Sequence, residues 1–408
     1  MTERGRGLTI DHQIYGAHDM ADLPTQIRAA YERDMSRKAS KVQRADELPL
    51  SFDDITDEWL TSVLCQDVPG ARVVAFNLGA PDNGSANRRK IAVQYNDAGR
   101  GAALPTALFC KASHDLVNRI VLGVSGGAHA EVVFYDRIRP LLSIEAPRPY
   151  YAKYDPESFN SMIILGDISG DVTEFCTHKT LMPRRRVDSQ ISLLARMHGS
   201  CYRDPELARR LKGLSTWPEF FGRTLDFGME SGSNRGFLAA EEVVPPRLYQ
   251  RYAEVWPAML KSVELHNQLP HTLSHGDVHL KNWYVAGNGD MGLGDWQCAT
   301  RGHWGRDLTY TIATALPVED RRAWERDLVQ AYLEQMRIAG GPKVAFDEAW
   351  LHYRQQLATA LTWWAVTLTP PAGLPDMQPR DTTLEFLRRI TTAMDDWDTL
   401  GSLSGSPG

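Results

Sequence analysis

Ser274-His275-Gly276-Asp277-Val278-His279-Leu280-Lys281-Asn282 is the stretch on which the reading of this chain turns. It sets an Asp two residues after a His, and an Asn five residues after the Asp. An Asp in such a loop can accept or orient the proton of an attacking hydroxyl, and an Asn further along can hold a metal. Gly276 puts no bulk between them. Downstream, Trp283-Tyr-Val285 and Met291-Gly-Leu-Gly294 have strand composition and flank Ala286-Gly-Asn-Gly-Asp290, a strong hairpin turn. A hairpin folds the chain back, so Asn282 before the first strand faces Asp295 just after the second. Two oxygen donors from one hairpin suit Mg²⁺, a hard cation that keeps several waters. A lone His-Gly-Asp is more often a turn, and Asp295 alone fits a helix N-cap. The full string with hairpin and Asp is hard to obtain by accident.

Working upstream, the chain is β-rich. Arg72–Leu78, Arg89–Tyr95 and Thr106–Ser113 have strand composition, and Gly79-Ala-Pro-Asp-Asn-Gly-Ser-Ala-Asn87 separates the first two. Lys111 sits near the end of the third strand, beside Ala107-Leu-Phe-Cys110. A lysine there must run its stem out to solvent or meet an anion. Glu131 is the candidate anion. A glycine-rich connection, Gly123-Val-Ser-Gly-Gly127, leads into a helix expected from about Ala128, on which Glu131 shares a face with Phe134, Tyr135 and Ile138. A facing Lys–Glu pair is the arrangement that positions the α- and β-phosphates of a nucleotide. Gly79–Ser85 fits G-x-x-x-x-G without the following Lys, so it is not a Walker A loop. Gly84 and Ser85 there could offer a backbone N–H and a hydroxyl to phosphates; a plain hairpin turn explains the stretch almost as well.

Residues 1–50 read as a polar leader with one short helical stretch around Leu23–Arg37. Thr56 is the expected N-cap of a helix carrying Trp59, Leu60, Val63 and Leu64 on one face. Phe159–Leu165 is a further strand. Beyond about Thr180 the period is helical, most clearly over Val187–Cys201, Leu248–Leu269, Arg321–Ile338, Glu348–Leu368 and Leu384–Trp397. The expected fold class is α+β, with a small β-rich lobe over 51–168 and a larger, mainly helical lobe over 169–408.

The spacing around Asp277 is that of a kinase catalytic loop, and Asp295-Trp-Gln297 stands where protein kinases carry Asp-Phe-Gly. The order of glycine-rich loop, strand Lys, helix Glu, His-Gly-Asp-x-His-x-x-Asn and Asp-Trp-Gln resembles the aminoglycoside phosphotransferase and choline kinase superfamily. Asp82-Asn-Gly-Ser85, Glu131-Val-Val-Phe-Tyr135, Leu193-Leu-Ala-Arg-Met-His198 and Gly305-Arg-Asp-Leu308 look like its ecdysteroid-kinase-like branch. The resemblance spans roughly residues 55–315. It implies a bilobal protein-kinase-like fold and ATP- or GTP-dependent phosphorylation of a small-molecule hydroxyl. It implies Asp277 as catalytic base, Asn282 and Asp295 as Mg²⁺ ligands, and Lys111 with Glu131 as phosphate anchor. Ile163-Ile-Leu-Gly-Asp-Ile168 would be the hinge whose backbone, at Leu165 and Asp167, meets the nucleobase. Many relatives carry Glu where this chain has Gly166, which leaves the nucleobase preference open. Asp307 is expected to brace the loop after Asp295.

The 408 residues carry 45 basic and 51 acidic side chains, a net charge of −6 with no basic stripe, so nucleic acid is not the expected partner. No stretch reaches the 18 apolar residues of a membrane span, and the first twenty residues lack a signal peptide's apolar core. Five cysteines, Cys65, Cys110, Cys176, Cys201 and Cys298, are scattered singly, as expected of reduced thiols in a cytoplasmic protein. Two functions of different class fit: a small-molecule kinase, or a nucleotide-binding pseudokinase that serves as a partner-binding module. The second would be marked by loss of Asp277, Asn282, Asp295 or Lys111, and all four are present. For the acceptor, an aminoglycoside calls for carboxylates, whereas the C-terminal region offers Trp350, Tyr353, Trp363, Trp364 and Leu368, with Asp395, Asp396 and Asp398 only near the end. Such a stripe is more often core. Where it lines the cleft, a lipophilic alcohol (steroid, polyketide or terpenoid) is expected rather than an aminoglycoside or choline. Oligomeric state is not legible.

Overall fold

The computed structural model describes residues 22–37, 41–225, 228–370 and 377–404. Its N-terminal part is an antiparallel sheet of β1 (Val73–Leu78), β2 (Asn87–Tyr95), β3 (Ala107–Ala112), β4 (Pro149–Tyr154) and β5 (Ser161–Gly166), in the order β1-β2-β3-β5-β4, with Asp82–Asn83 as a short extra pairing on β2. Two helices precede it, α1 (Leu23–Ser36) and α2 (Asp57–Leu64). Thr56 caps α2 as expected, accepting from the Trp59 N–H. The period-2 alternation of the strands sorts their side chains. Leu108 and Cys110 of β3, with Met162 and Ile164 of β5, pack under Trp59 and Leu60 of α2. Lys111 and Leu165 are thereby turned to the opposite face, towards the rest of the molecule.

Glu131 lies on α4 (Gly127–Val133), entered from α3 (Leu116–Ser125). The expected glycine-rich connection is mostly helix. Only Gly126 breaks it, at φ +79°, while Gly123 lies inside α3 because a Cβ there would stand 2.8 Å from Ile27 Cδ1 of α1. Its smallness serves close helix packing, not a turn. The α1–α3 contact is reinforced by a buried ion pair, Arg119 Nη1 to Asp34 Oδ2 at 2.5 Å. The chain turns out of α4 through a π-helical turn, Phe134–Ile138, which keeps Phe134, Tyr135 and Ile138 in the core with Glu131.

The larger C-terminal part is helical: α5 (Arg184–Arg203), α6 (Gly305–Ala315), α7 (Val318–Ile338), α8 (Phe346–Leu368) and α9 (Arg380–Asp396) share one core with shorter helices. The helix expected over Leu248–Leu269 is interrupted at Gln250–Arg251 and runs as Tyr252–Glu264. Two small sheets are set among the helices. The hairpin β8 (Trp283–Ala286) and β9 (Met291–Leu293) forms as expected and takes β6 (Val172–Phe175) on its edge; β7 (Thr272–Ser274) pairs with β10 (Thr300–Gly302). The fold is therefore α+β, a β-sheet N-terminal region on a larger helical C-terminal region. Among the described residues no helix is long and apolar enough to cross a membrane.

Candidate active site

Lys111 Nζ lies 2.6 Å from Glu131 Oε1 and 2.9 Å from Asp295 Oδ1, so one ammonium joins the sheet, α4 and the hairpin. Burial alone would push the Lys111 ammonium down, but the Asp295 and Glu131 carboxylates outweigh it and hold it above its usual range. Burial pushes the Asp295 carboxyl up, and Lys111 holds it down. Two carboxylates around one ammonium leave an excess negative charge. It falls on the open side, since the Asp295 side chain is 45% exposed against 4% for Glu131. Asp295 adopts φ +60°, ψ +74°, a left-handed conformation costly for a non-glycine residue. Trp296 holds it there: its ring stacks on Phe134 at 3.6 Å and its Nε1–H donates to Leu293 O. The helix face that carries Glu131 thus also docks the Asp295 loop. A cavity of about 330 Å³ opens beside this pair, lined also by Phe109, Leu165 and Asp167. The Asp167 N–H donates to Ala107 O and its carboxylate meets Lys90 Nζ at 2.9 Å. What Asp167 presents to the cavity is therefore a wall rather than a free donor.

The 274–282 loop is held from several sides. Gly276 takes φ +79°, and a Cβ there would lie 2.4 Å from Cys298 O, so only glycine fits without a shift. Asn282 Nδ2 donates to Asp277 O at 2.7 Å and approaches its Oδ2 at 3.3 Å. Its Oδ1 is left as an oxygen donor, and its backbone carbonyl accepts from Gly294, next to Asp295. The Asp277 N–H donates to His275 Nδ1, so the His275 proton sits on Nε2 and donates to Gly294 O at 2.9 Å. Burial pushes the His275 imidazole below its usual range. His275 therefore ties the Asp277 loop to the residue before Asp295. Burial would raise the Asp277 carboxyl, but His279, with Nε2 3.4 Å from Oδ2, and then His275 and Arg306 hold it at about 2.

The position of Asp307 corrects the expectation that it braces the loop after Asp295. Asp307 Oδ1 accepts from Ser274 Oγ and Gly276 N, Oδ2 accepts from His275 N at 2.7 Å, and His198 Nε2 lies 3.3 Å away. The pairing of β7 with β10 sets the first turn of α6 against 274–276, so Asp307 meets the loop before Asp277. Two residues that sequence reading missed share that helix. Arg306 Nη2 donates to Gly276 O at 2.6 Å, and Tyr310 Oη lies 3.2 Å from Asp277 Oδ1. Their spacing of four residues on one helix was the available signal.

A second cavity, of about 260 Å³, lies on the other side of Asp277. Val121, Leu122, Phe220, Trp363, Trp364 and Met377 line it with His279 and Tyr310, and among the described residues Asp277 is the one carboxylate in its wall. The C-terminal aromatic stripe divides here. Trp363 and Trp364 face the cavity, whereas Trp350 and Tyr353 stack on each other at 5.0 Å in the core. Asp395, Asp396 and Asp398 are paired instead with Arg247, Arg322 and Arg251. Ser85, on the β1–β2 loop, lines this second cavity and donates to Gln297 Oε1 at 3.0 Å. The Gly84 N–H donates to Ala86 O and its carbonyl accepts from Asn118 Nδ2. Among the described residues no three His, Cys, Asp or Glu side chains gather as a metal-binding group. The two oxygens offered by Asn282 and Asp295 fit a cation that keeps waters and shares a ligand's oxygens.

No curated protein matches the chain. Among solved structures it is similar to choline kinase LicA from Streptococcus pneumoniae (10% identity, 80% of this chain and 94% of that one, TM-score 0.43). It is also similar to a choline kinase from Cryptosporidium parvum Iowa II (10%, 82% and 92%, TM-score 0.45) and to a spectinomycin phosphotransferase in complex with ADP and spectinomycin (13%, 83% and 96%, TM-score 0.46). A family model for the phosphotransferase enzyme family, APH, matches residues 115–346, a span that holds Glu131, Asp277, Asn282 and Asp295 and begins just after Lys111. With more than half of its length matched, the chain belongs to the phosphotransferase enzyme family.

Proposed function

We propose that this small-molecule phosphotransferase moves the γ-phosphoryl group of ATP or GTP to a hydroxyl of a neutral, apolar alcohol. One observation carries the reading: Asp277 stands in the wall of an apolar cavity while the Lys111–Asp295 pair stands in the wall of a charged one. On the charged side Lys111, fixed by Glu131, meets the α- and β-phosphates. Leu165 and Asp167 border the nucleobase; Gly84, whose N–H and carbonyl are taken by Ala86 and Asn118, and Ser85, which lines the apolar cavity, are not assigned to the phosphates. Asn282 Oδ1 and the exposed side of Asp295 hold Mg²⁺, which when bound neutralises charge on the β- and γ-phosphates. On the apolar side Asp277 orients the acceptor hydroxyl in line with the γ-phosphorus. The acceptor oxygen bonds to phosphorus, the bond to the bridging β–γ oxygen breaks, and the hydroxyl proton passes to Asp277. A carboxylate held at about 2 is a weak base, which suits a loose transition state that needs the hydroxyl positioned more than deprotonated early.

The acceptor class follows from the wall. Among the described residues a polycationic acceptor would find a single carboxylate there, whereas a lipophilic body would cover indole and aliphatic surface at about 25 cal/mol per Å². The look of the ecdysteroid-kinase-like branch agrees with such an acceptor. ADP release by purified protein with Mg–ATP, over a panel of steroid, terpenoid and polyketide alcohols together with choline and aminoglycosides, tests this. A response to the lipophilic alcohols is expected. A strong response only to choline or aminoglycosides overturns the acceptor class. Thermal stabilisation by Mg–ATP with no transfer to any acceptor would favour a nucleotide-binding module instead.

A further inference from the structure

Tyr310 and Trp364 form a one-way hydrogen-bond chain that ends on the carboxylate. Trp364 Nε1 lies 2.8 Å from Tyr310 Oη, and Tyr310 Oη lies 3.2 Å from Asp277 Oδ1. An indole N–H can only donate, and a phenol carries one proton. The Tyr310 oxygen therefore accepts from Trp364, and its own proton points to Asp277. Burial pushes the Tyr310 phenol far above its usual range, so that proton stays in place. Tyr310 is 1% exposed and Trp364 3%, so neither bond competes with bulk water. The other carboxylate oxygen, Oδ2, is approached by Asn282 Nδ2 at 3.3 Å and His279 Nε2 at 3.4 Å. The carboxylate plane is thus gripped at both oxygens, by α6 on one side and by its own loop on the other. Tyr310 and Trp364 are also wall residues of the apolar cavity.

We propose that Tyr310, itself fixed by Trp364, is a positioning residue that holds Asp277 in the orientation from which it meets the acceptor hydroxyl. The proposal rests on the phosphotransfer reading above and adds a route by which the acceptor wall governs the base. Asn282 and His279 alone leave Oδ1 without its fixed donor, and the carboxylate can then turn about its Cβ–Cγ bond. Misplacement by about 1 Å costs on the order of 100-fold in rate.

Two variants test the chain: Tyr310→Phe removes both bonds of the phenol oxygen, and Trp364→Phe removes the indole donor. With Mg–ATP and the lipophilic alcohol that gives most ADP release, Tyr310→Phe is expected to lower kcat by about 10- to 100-fold. The KM for ATP should hardly move; the melting temperature should fall modestly, because the buried Trp364 N–H loses its acceptor. Trp364→Phe should lower kcat less, and in the Tyr310→Phe background it should lower kcat no further, because it acts through Tyr310. Unchanged kcat in Tyr310→Phe, or fully additive effects of the two changes, overturns the proposal. A second measurement needs no turnover: crystal structures of wild type and Tyr310→Phe with Mg and a non-hydrolysable ATP analogue. Asp277 is expected in one orientation in the wild type and in two or a rotated one in the variant. The same single orientation in both overturns the positioning role. A wild type that transfers nothing would count against the proposed function, and the crystallographic comparison would still decide this one.

Discussion

The two cavities, one beside Lys111 and one beside Asp277, offer different physics to a ligand. On the Lys111 side, three charged groups are packed so that the lysine is shared and an excess negative charge faces outward through Asp295. Binding there depends on ionic geometry, and removal of one partner leaves another buried and uncompensated. On the Asp277 side, indole, phenyl and aliphatic surface surrounds one carboxylate. Binding there depends on area and shape, and its polar groups are used to aim Asp277. Under the proposed function, the difference teaches that one cleft can separate holding a donor from choosing an acceptor. Changes on the two sides should then act on different constants.

The largest expected effect is that of Asp277→Asn. Transfer should fall by about 10²–10⁴-fold, while the melting-temperature rise given by Mg–ATP is retained. If that rise is lost as well, the two sides are not separable. Next is Lys111→Met, which strands Glu131. A stability loss of about 3–5 kcal/mol in urea unfolding is expected, with loss of the Mg–ATP shift. Adding Glu131→Leu should restore most of the stability but not the shift, since a hydrophobic pair can replace a buried ionic one. Recovery of the nucleotide shift in that double variant would break the assignment of this side.

The apolar side has the converse test. Val121→Asp puts a carboxylate in the wall. It should lower kcat/KM for a neutral alcohol by about tenfold or more, as buried unpaired polar groups cost 1–3 kcal/mol, and it should raise the response to choline relative to that alcohol. The KM for ATP should stay as it was; a change there would mean the cavities are coupled more tightly than their walls suggest. The smallest effect is expected for Lys90→Ala, whose ion pair with Asp167 is at the surface, with the lysine side chain 56% exposed. Less than about 1 kcal/mol of stability should be lost, and the KM for ATP should move only a few-fold.

Much of this site was legible before any fold was known. The string from Ser274 to Asp295 holds its own geometry, because a turn and a hairpin place Asn282 against Gly294 without help from distant chain. Lys111 and Glu131 were legible for a related reason: strand and helix periods decide which side chains leave the apolar face. Other parts were not. The strand Pro149–Tyr154 escaped because it lies at a sheet edge with all six residues half-buried, so no alternation marks it. Gly123–Gly127 was misread because a glycine that lets α1 approach α3 looks, in sequence, like one that turns the chain. Asp307 was recognised but given to the wrong loop.

By itself, then, the sequence determined the fold class, the loop around Asp277 and the charged types that meet at Lys111, because those follow from short spacings and backbone periods. Only the tertiary structure decided which residues aim Asp277 and which aromatics form a wall. Tyr310 reaches Asp277 across 33 positions of chain, Trp364 reaches Tyr310 across 54, and Lys111 reaches Asp295 across 184. Contacts at such separations are set by how helices and sheets pack, and neighbouring residues carry no period that encodes them. Trp350 and Trp364 are the same residue type on the same helix and both are buried in one core, and packing alone decides that only Trp364 also lines the cavity beside Asp277.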